Sequence, residues 1–177
     1  TASSQIKKLG PGEAMFVKQG IIQEYFTWDR LPIVRGSNLR KGKKQSLTKC
    51  EAIQGTEHHL RQAVHRQLVS DVPVGAFLSG GLDSSSIVAF AREQNPDIRC
   101  FTINVAGAED EGMKDDLPYA RSVAKHLNIP LEVVHVDAAH MASELPSMVD
   151  QLDEPLADPA PLNILFISRL AREFGIK

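Results

Sequence analysis

Val74-Gly75-Ala76-Phe77-Leu78-Ser79-Gly80-Gly81-Leu82-Asp83-Ser84-Ser85-Ser86 decides how the rest of the chain is read. An apolar run enters a Ser-Gly-Gly turn, and a helix-forming stretch opens on Asp-Ser-Ser. A buried strand passing through a glycine turn into a helix is suited to capturing an anion. Two glycines bring backbone N–H groups close to a ligand with no Cβ in the way. The unpaired amides and the positive end of the helix then favour phosphate. Hydroxyls of Ser79, Ser84 and Ser85 add donors. Asp83 sits among those anions, which is costly without a cation, so it is the expected Mg²⁺ contact.

Two other motifs are excluded on the same residues. Gly75 and Gly80 have the spacing of a Walker P-loop, but Gly81-Leu82 stands where Lys and Ser/Thr are required. A nucleophile elbow needs glycines two residues either side of Ser79. Gly81 qualifies and Phe77 does not.

Working outward, residues 72–78, 98–105 and 131–136 are nearly continuous apolar runs, the signature of parallel strands buried on both faces. Helix patterns stand between and after them. Leu60, Val64 and Leu68 place a helix over residues 56–70, and others are expected over 84–93, 118–127, 140–152 and 161–174. Pro118 suits a first helical turn, and Pro146 is expected to break the helix that contains it. Strands alternating with helices predict an α/β domain with a parallel sheet.

The beginning of the chain reads differently. Leu9-Gly10-Pro11-Gly12 is turn chemistry, followed by strand patterns at Ala14-Met15-Phe16-Val17 and, past Gly20, at residues 21–26. Residues 1–34 therefore read as the end of an antiparallel unit. Residues 35–49 carry Arg35, Arg40, Lys41, Lys43, Lys44 and Lys49 with no acidic residue, a basic linker. Residues 50–177 form the α/β domain.

The chain has 177 residues, 42% hydrophobic and 24% charged, the balance of a globular domain. A net charge of −2 gives no reason to expect nucleic acid or an anionic membrane as partner. No apolar run approaches the ~20 residues of a spanning helix, and no signal-peptide layout opens the chain. Cys50 and Cys100 lack a CxxC spacing and read as two reduced thiols of a cytoplasmic protein. The six histidines form no metal-binding spacing with them.

Ser79-Gly80-Gly81-Leu82-Asp83-Ser84 resembles the pyrophosphate loop of the ATP-pyrophosphatase, or adenine nucleotide α-hydrolase-like, superfamily. The flanks narrow the resemblance to the asparagine synthetase family. They are Asp71-Val72-Pro73-Val74-Gly75, Pro118-Tyr119-Ala120-Arg121 and Leu152-Asp153-Glu154-Pro155-Leu156-Ala157-Asp158-Pro159. Ile6-Lys7-Lys8-Leu9-Gly10-Pro11-Gly12 is similar to the last strands of that family's glutaminase domain.

The resemblance implies ATP and Mg²⁺ as cofactors. It implies adenylation of aspartate, then amide transfer from glutamine-derived ammonia with release of AMP and pyrophosphate. Leu78, Ser79, Gly80, Gly81, Leu82, Asp83, Ser84, Ser85 and Ile103 would bind ATP, Leu78 and Ile103 mainly through backbone. Asp153, Glu154 and Asp158 would face the acyl acceptor, or else only cap and solvate their loop. The partners implied are small molecules, with a homodimer open as an assembly. Two departures stand beside this. The chain begins Thr1-Ala2 where the family's glutaminase has its cysteine, and the Ser-Gly-(Asp/Glu)-Gly segment expected after Lys177 is not in the sequence. The chain is thus expected to be a piece of a larger enzyme, inactive alone. The alternatives are an amidotransferase for another carboxylate, such as a sugar acid or secondary metabolite, or a nucleotide-binding fragment without turnover.

Overall fold

A computed structural model describes residues 5–28, 47–107, 116–154, 156, 158 and 160–177, and these fall into two compact units divided between Leu47 and Thr48. Most of the expected basic linker lies outside the described residues.

The first unit is a hairpin of β1 (Glu13–Lys18) and β2 (Ile21–Thr27), paired antiparallel with Lys18 opposite Ile21. Gln19 and Gly20 make the two-residue turn, both with positive φ, the backbone that matches the twist of a hairpin. Phe16 stacks on Phe26 with ring centres 6.0 Å apart. The Tyr25 hydroxyl donates to Glu13.

The second unit holds a parallel sheet in the order β3 (Gly75–Phe77), β4 (Arg99–Val105), β5 (Leu131–Val136). Between and around the strands run α1 (Lys49–Gln67), α2 (Leu82–Gln94), α3 (Leu117–Leu127), α4 (Ala138–Val149) and α5 (Ala160–Glu173). The α/β parallel-sheet class is as the apolar runs predicted. Three details differ. β3 is three residues long, not seven, because Pro73 has no N–H for a ladder and Val72 N–H donates to Ser70 Oγ. α1 starts at Lys49 instead of near residue 56, set by a cap the apolar stripe does not reveal. Thr48 Oγ1 accepts from Glu51 N at 3.2 Å, and Glu51 Oε2 accepts from Thr48 N at 2.8 Å. α4 runs through Pro146, which sits in its last turn, where the missing N–H removes one ladder bond and Asp150 N–H still reaches the Pro146 carbonyl.

Alternate residues of β4 serve two cores. Cys100 joins Val64, Leu78, Val88, Ala91, Ile98, Ala120, Ala124 and Ile129 under α1, α2 and α3. Phe101 packs on Ile167 and Ala171 of α5 on the opposite face, and Val136 packs on Leu162 and Phe166. Burying each Val, Leu, Ile or Phe of these clusters is worth about 1.5–3 kcal/mol. Both cysteines are free thiols. Burial pushes Cys100 up to about 11, while Cys50 is exposed on α1. No helix among the described residues is long and apolar enough to cross a membrane.

Candidate nucleotide site at the end of β3

Leu78 is 1% exposed, and its N–H donates to the Phe101 carbonyl at 2.9 Å, so β3 stays anchored to β4 up to the turn. The chain then leaves the sheet at its C-terminal end, where ligands of open α/β sheets bind. Gly80 takes φ +80, and a Cβ there would stand 2.4 Å from Ala120 N and 2.4 Å from the Tyr119 carbonyl carbon. Glycine is required twice over, by the sign of φ and by the first turn of α3 pressed against the loop.

Two serines tie the turn to α2. Ser79 Oγ and Ser84 Oγ share a hydrogen bond of 3.0 Å, Gly81 N–H donates to Ser79 Oγ at 3.3 Å, and Ser84 Oγ donates to the Gly81 carbonyl at 3.3 Å. Gly81 is the N-cap of α2 and makes no side-chain cap bond, so no cap oxygen competes for the amides of the first turn. Ser85 Oγ is buried without a partner. This is a cradle of glycine backbone, hydroxyls and free helix amides, and its chemistry fits the phosphates of a nucleotide.

Asp83 stands in the first turn of α2. It also lines a groove of about 740 Å³ between α1 and α2, with Ile53, Leu60, Leu82, Ile87 and Phe90 among the walls. An exposed carboxylate beside that cradle has the chemistry to suit a hard cation such as Mg²⁺. Ile103 is half-buried near the end of β4, packed against both α5-side clusters. The acidic trio is divided. Asp158 Oδ1 accepts from Ala160 N at 2.9 Å at the start of α5, while Asp153 and Glu154 border a hollow of about 350 Å³ beside Met148 and Leu152 of the α4 end. Among the described residues no three His, Cys, Asp or Glu cluster to hold a metal.

Sequence reasoning missed the part played by α3. Pro118-Tyr119-Ala120-Arg121 carries a resemblance, but nothing in its spacing tells that its backbone backs Gly80. It also missed Asn163 of α5, whose Oδ1 is buried with no partner.

Residues 55–177 match the family model described as asparagine synthase. The chain belongs to the asparagine synthase family. A Bacillus subtilis protein named asparagine synthetase [glutamine-hydrolyzing] 1 is 28% identical over 176 residues, 98% of this chain and 25% of that protein. A second from the same organism, asparagine synthetase [glutamine-hydrolyzing] 2, is 39% identical over 92 residues, 52% of this chain and 12% of its own length. Amidase chyE of Penicillium rubens is 31% identical over 141 residues, covering 72% of this chain and 20% of the amidase. The chain thus spans a quarter or less of each of these relatives. For the family member in hand, the matched region contains the loop, all three strands of the parallel sheet and the whole of α5.

Proposed function

We propose that this chain is the nucleotide-handling part of a cytoplasmic amidotransferase-type ligase that adenylates aspartate. Residues 1–34 would be the end of its glutaminase domain and residues 35–49 the linker between the two. The observation that carries the reading is the Ser79-Gly80-Gly81 turn, held by α3 from behind and opening onto the uncapped start of α2. That arrangement supports binding of the β,γ-phosphates by loop amides and by the Ser79, Ser84 and Ser85 hydroxyls. Leu78 and Ile103 would hold the adenosine side, and Asp83 would hold Mg²⁺, which supplies neutralisation of phosphate charge.

An aspartate carboxylate oxygen attacks the α-phosphorus and the bond to pyrophosphate breaks, leaving an acyl adenylate. Ammonia derived from glutamine then attacks the acyl carbon, AMP leaves, and the nitrogen gives up a proton. The loop's part is to favour charge building on the leaving pyrophosphate with dipoles already in place. The amidase among the relatives favours a second reading, in which the same activation serves a different carboxylate. ATP–pyrophosphate exchange on the full-length protein separates the two: exchange dependent on aspartate is expected. Exchange with other carboxylates and none with aspartate would replace the first reading by the second.

A further inference from the structure

α1 is held along one half only. Val64 is its one buried residue, packed in the core with Val88 of α2, and Arg61 pairs with Glu93 of α2 at 3.1 Å. Nearer its start, the two helices leave between them the groove of about 740 Å³ that Ile53, Leu82, Ile87 and Phe90 help to line. Residues 49–57, Gly55 apart, are exposed. Ile53 is 56% exposed and Leu82 83%. Apolar side chains that share an open groove mark a surface that another element covers.

The charges on α1 point to which element. Lys49, Ile53 and Glu57 follow at i, i+4 and i+8, so they form one ridge, with its two charges about 12 Å apart along the axis. A cation stands at one end, an anion at the other, and an apolar side chain between them. Such a ridge is complementary to itself turned end for end. A two-fold axis through Ile53 sets this residue on its own counterpart and each Lys49 opposite the second copy's Glu57, so the attraction occurs twice. Ridges of this spacing interdigitate with helix axes about 8–10 Å apart, and Ala52 and Thr56 beside Ile53 are small enough for that approach. Among the described residues no carboxylate pairs with Lys49, and Glu57 is bound to Arg61 through Oε1 alone.

We propose that the open half of α1 and the groove beside it form the contact between two copies of this protein, paired antiparallel about Ile53. The second copy's α1 fills the groove and covers Leu82. Asp83 lines the same groove. Each nucleotide site therefore has the other copy's helix along the start of its own α2. The pairing depends on the face of α1 and not on the ATP reading of the loop, so either can fail without the other.

The test is sedimentation of the full-length protein over a range of concentrations, with charges exchanged on α1. Wild type is expected to be a dimer that dissociates on dilution. Lys49→Glu sets two anions against each other at both ends of the contact, and Glu57→Lys sets two cations. Each should weaken the dimer by about tenfold or more. Mixed together, the two variants should associate again, because every pair across the axis is then of opposite charge. The double variant Lys49→Glu/Glu57→Lys should dimerise by itself for the same reason. Association in the mixture also shows that both single variants are folded. A wild type that is monomeric throughout overturns the proposal, as does a dimer that both single variants leave unchanged. Single variants that dissociate without recovering in the mixture or in the double variant overturn it too, because the groove then holds something other than a second copy.

Discussion

α1 and α2 pack on the same face of the sheet and begin in opposite ways from nearly the same backbone. Thr48 caps α1 at φ −67, ψ 160, and Gly81 caps α2 at φ −67, ψ 162. At Thr48 the side chain closes the helix start, with Glu51 returning the bond in a full capping box. At Gly81 there is no side chain to do so, though the backbone there would accept one. The difference lies wholly in the residue chosen. A helix start closed by its own side chains serves stability alone. One left open beside a rigid glycine turn keeps its amides for something else.

Replacing Gly80 strikes hardest at the open end. Gly80→Ala must hold a Cβ at φ +80 and drive it into the backbone of Tyr119 and Ala120. Strain and overpacking together should cost about 2–5 kcal/mol, read as a drop in the urea midpoint, with protection by ATP lost. Gly20 is the control. It has φ +78 in the hairpin turn and nothing within 4 Å, so Gly20→Ala should cost only about 1–2 kcal/mol and leave ATP protection intact. Equal effects at both glycines would mean that the backing by α3 is immaterial.

The closed end should respond in stability only. Thr48→Ala is expected to cost about 1 kcal/mol with no change in nucleotide binding. Acid gives the same comparison without a mutation. Accepting from the Thr48 N–H and hydroxyl holds the Glu51 carboxyl below its ordinary value of 4.5. A depressed carboxylate contributes stability that is present above its unfolded pKa and lost as pH falls through the folded one. The gap between wild type and Thr48→Ala should therefore be full at pH 7 and shrink below about pH 4.5. A gap that widened in acid would remove Glu51 from the cap.

How much of this was legible in the chain follows from where each cause lies. β4 and β5 are long apolar runs that bury both faces, so their period declares them. The Ser79-Gly80-Gly81 turn is local chemistry and was readable as such. The Thr48–Glu51 box is also local, four residues long, but it opens a mostly exposed stretch, and the apolar stripe at Leu60, Val64 and Leu68 draws the eye past it. α3 behind Gly80 and the unpartnered Asn163 Oδ1 are different in kind. They follow from how helices stack on a sheet, and no spacing in the sequence states that Tyr119 meets Gly80 or that the Asn163 Oδ1 ends up buried without a partner.

The smallest expected effect is the sharpest test, because its two readouts move in opposite directions. Gly81→Ser would give α2 the cap that α1 has. The backbone at φ −67, ψ 162 admits serine, and a Cβ there would lie 3.3 Å from Ser79 Oγ, a tight contact that a small shift of that hydroxyl relieves. The new hydroxyl would accept from an amide in the first turn of α2, raising stability by a few tenths of a kcal/mol. The same hydrogen bond occupies an amide that phosphate would use and sets an electron-rich oxygen where phosphate oxygens come. Hydrogen bonds to charged groups are worth about 1.5–3 kcal/mol, so losing one should weaken ATP by about tenfold or more. The urea midpoint of the free protein should rise slightly while the shift produced by ATP falls. If stability and ATP protection rise together, the open start of α2 is not where phosphate binds, and the contrast with α1 is one of helix propensity alone.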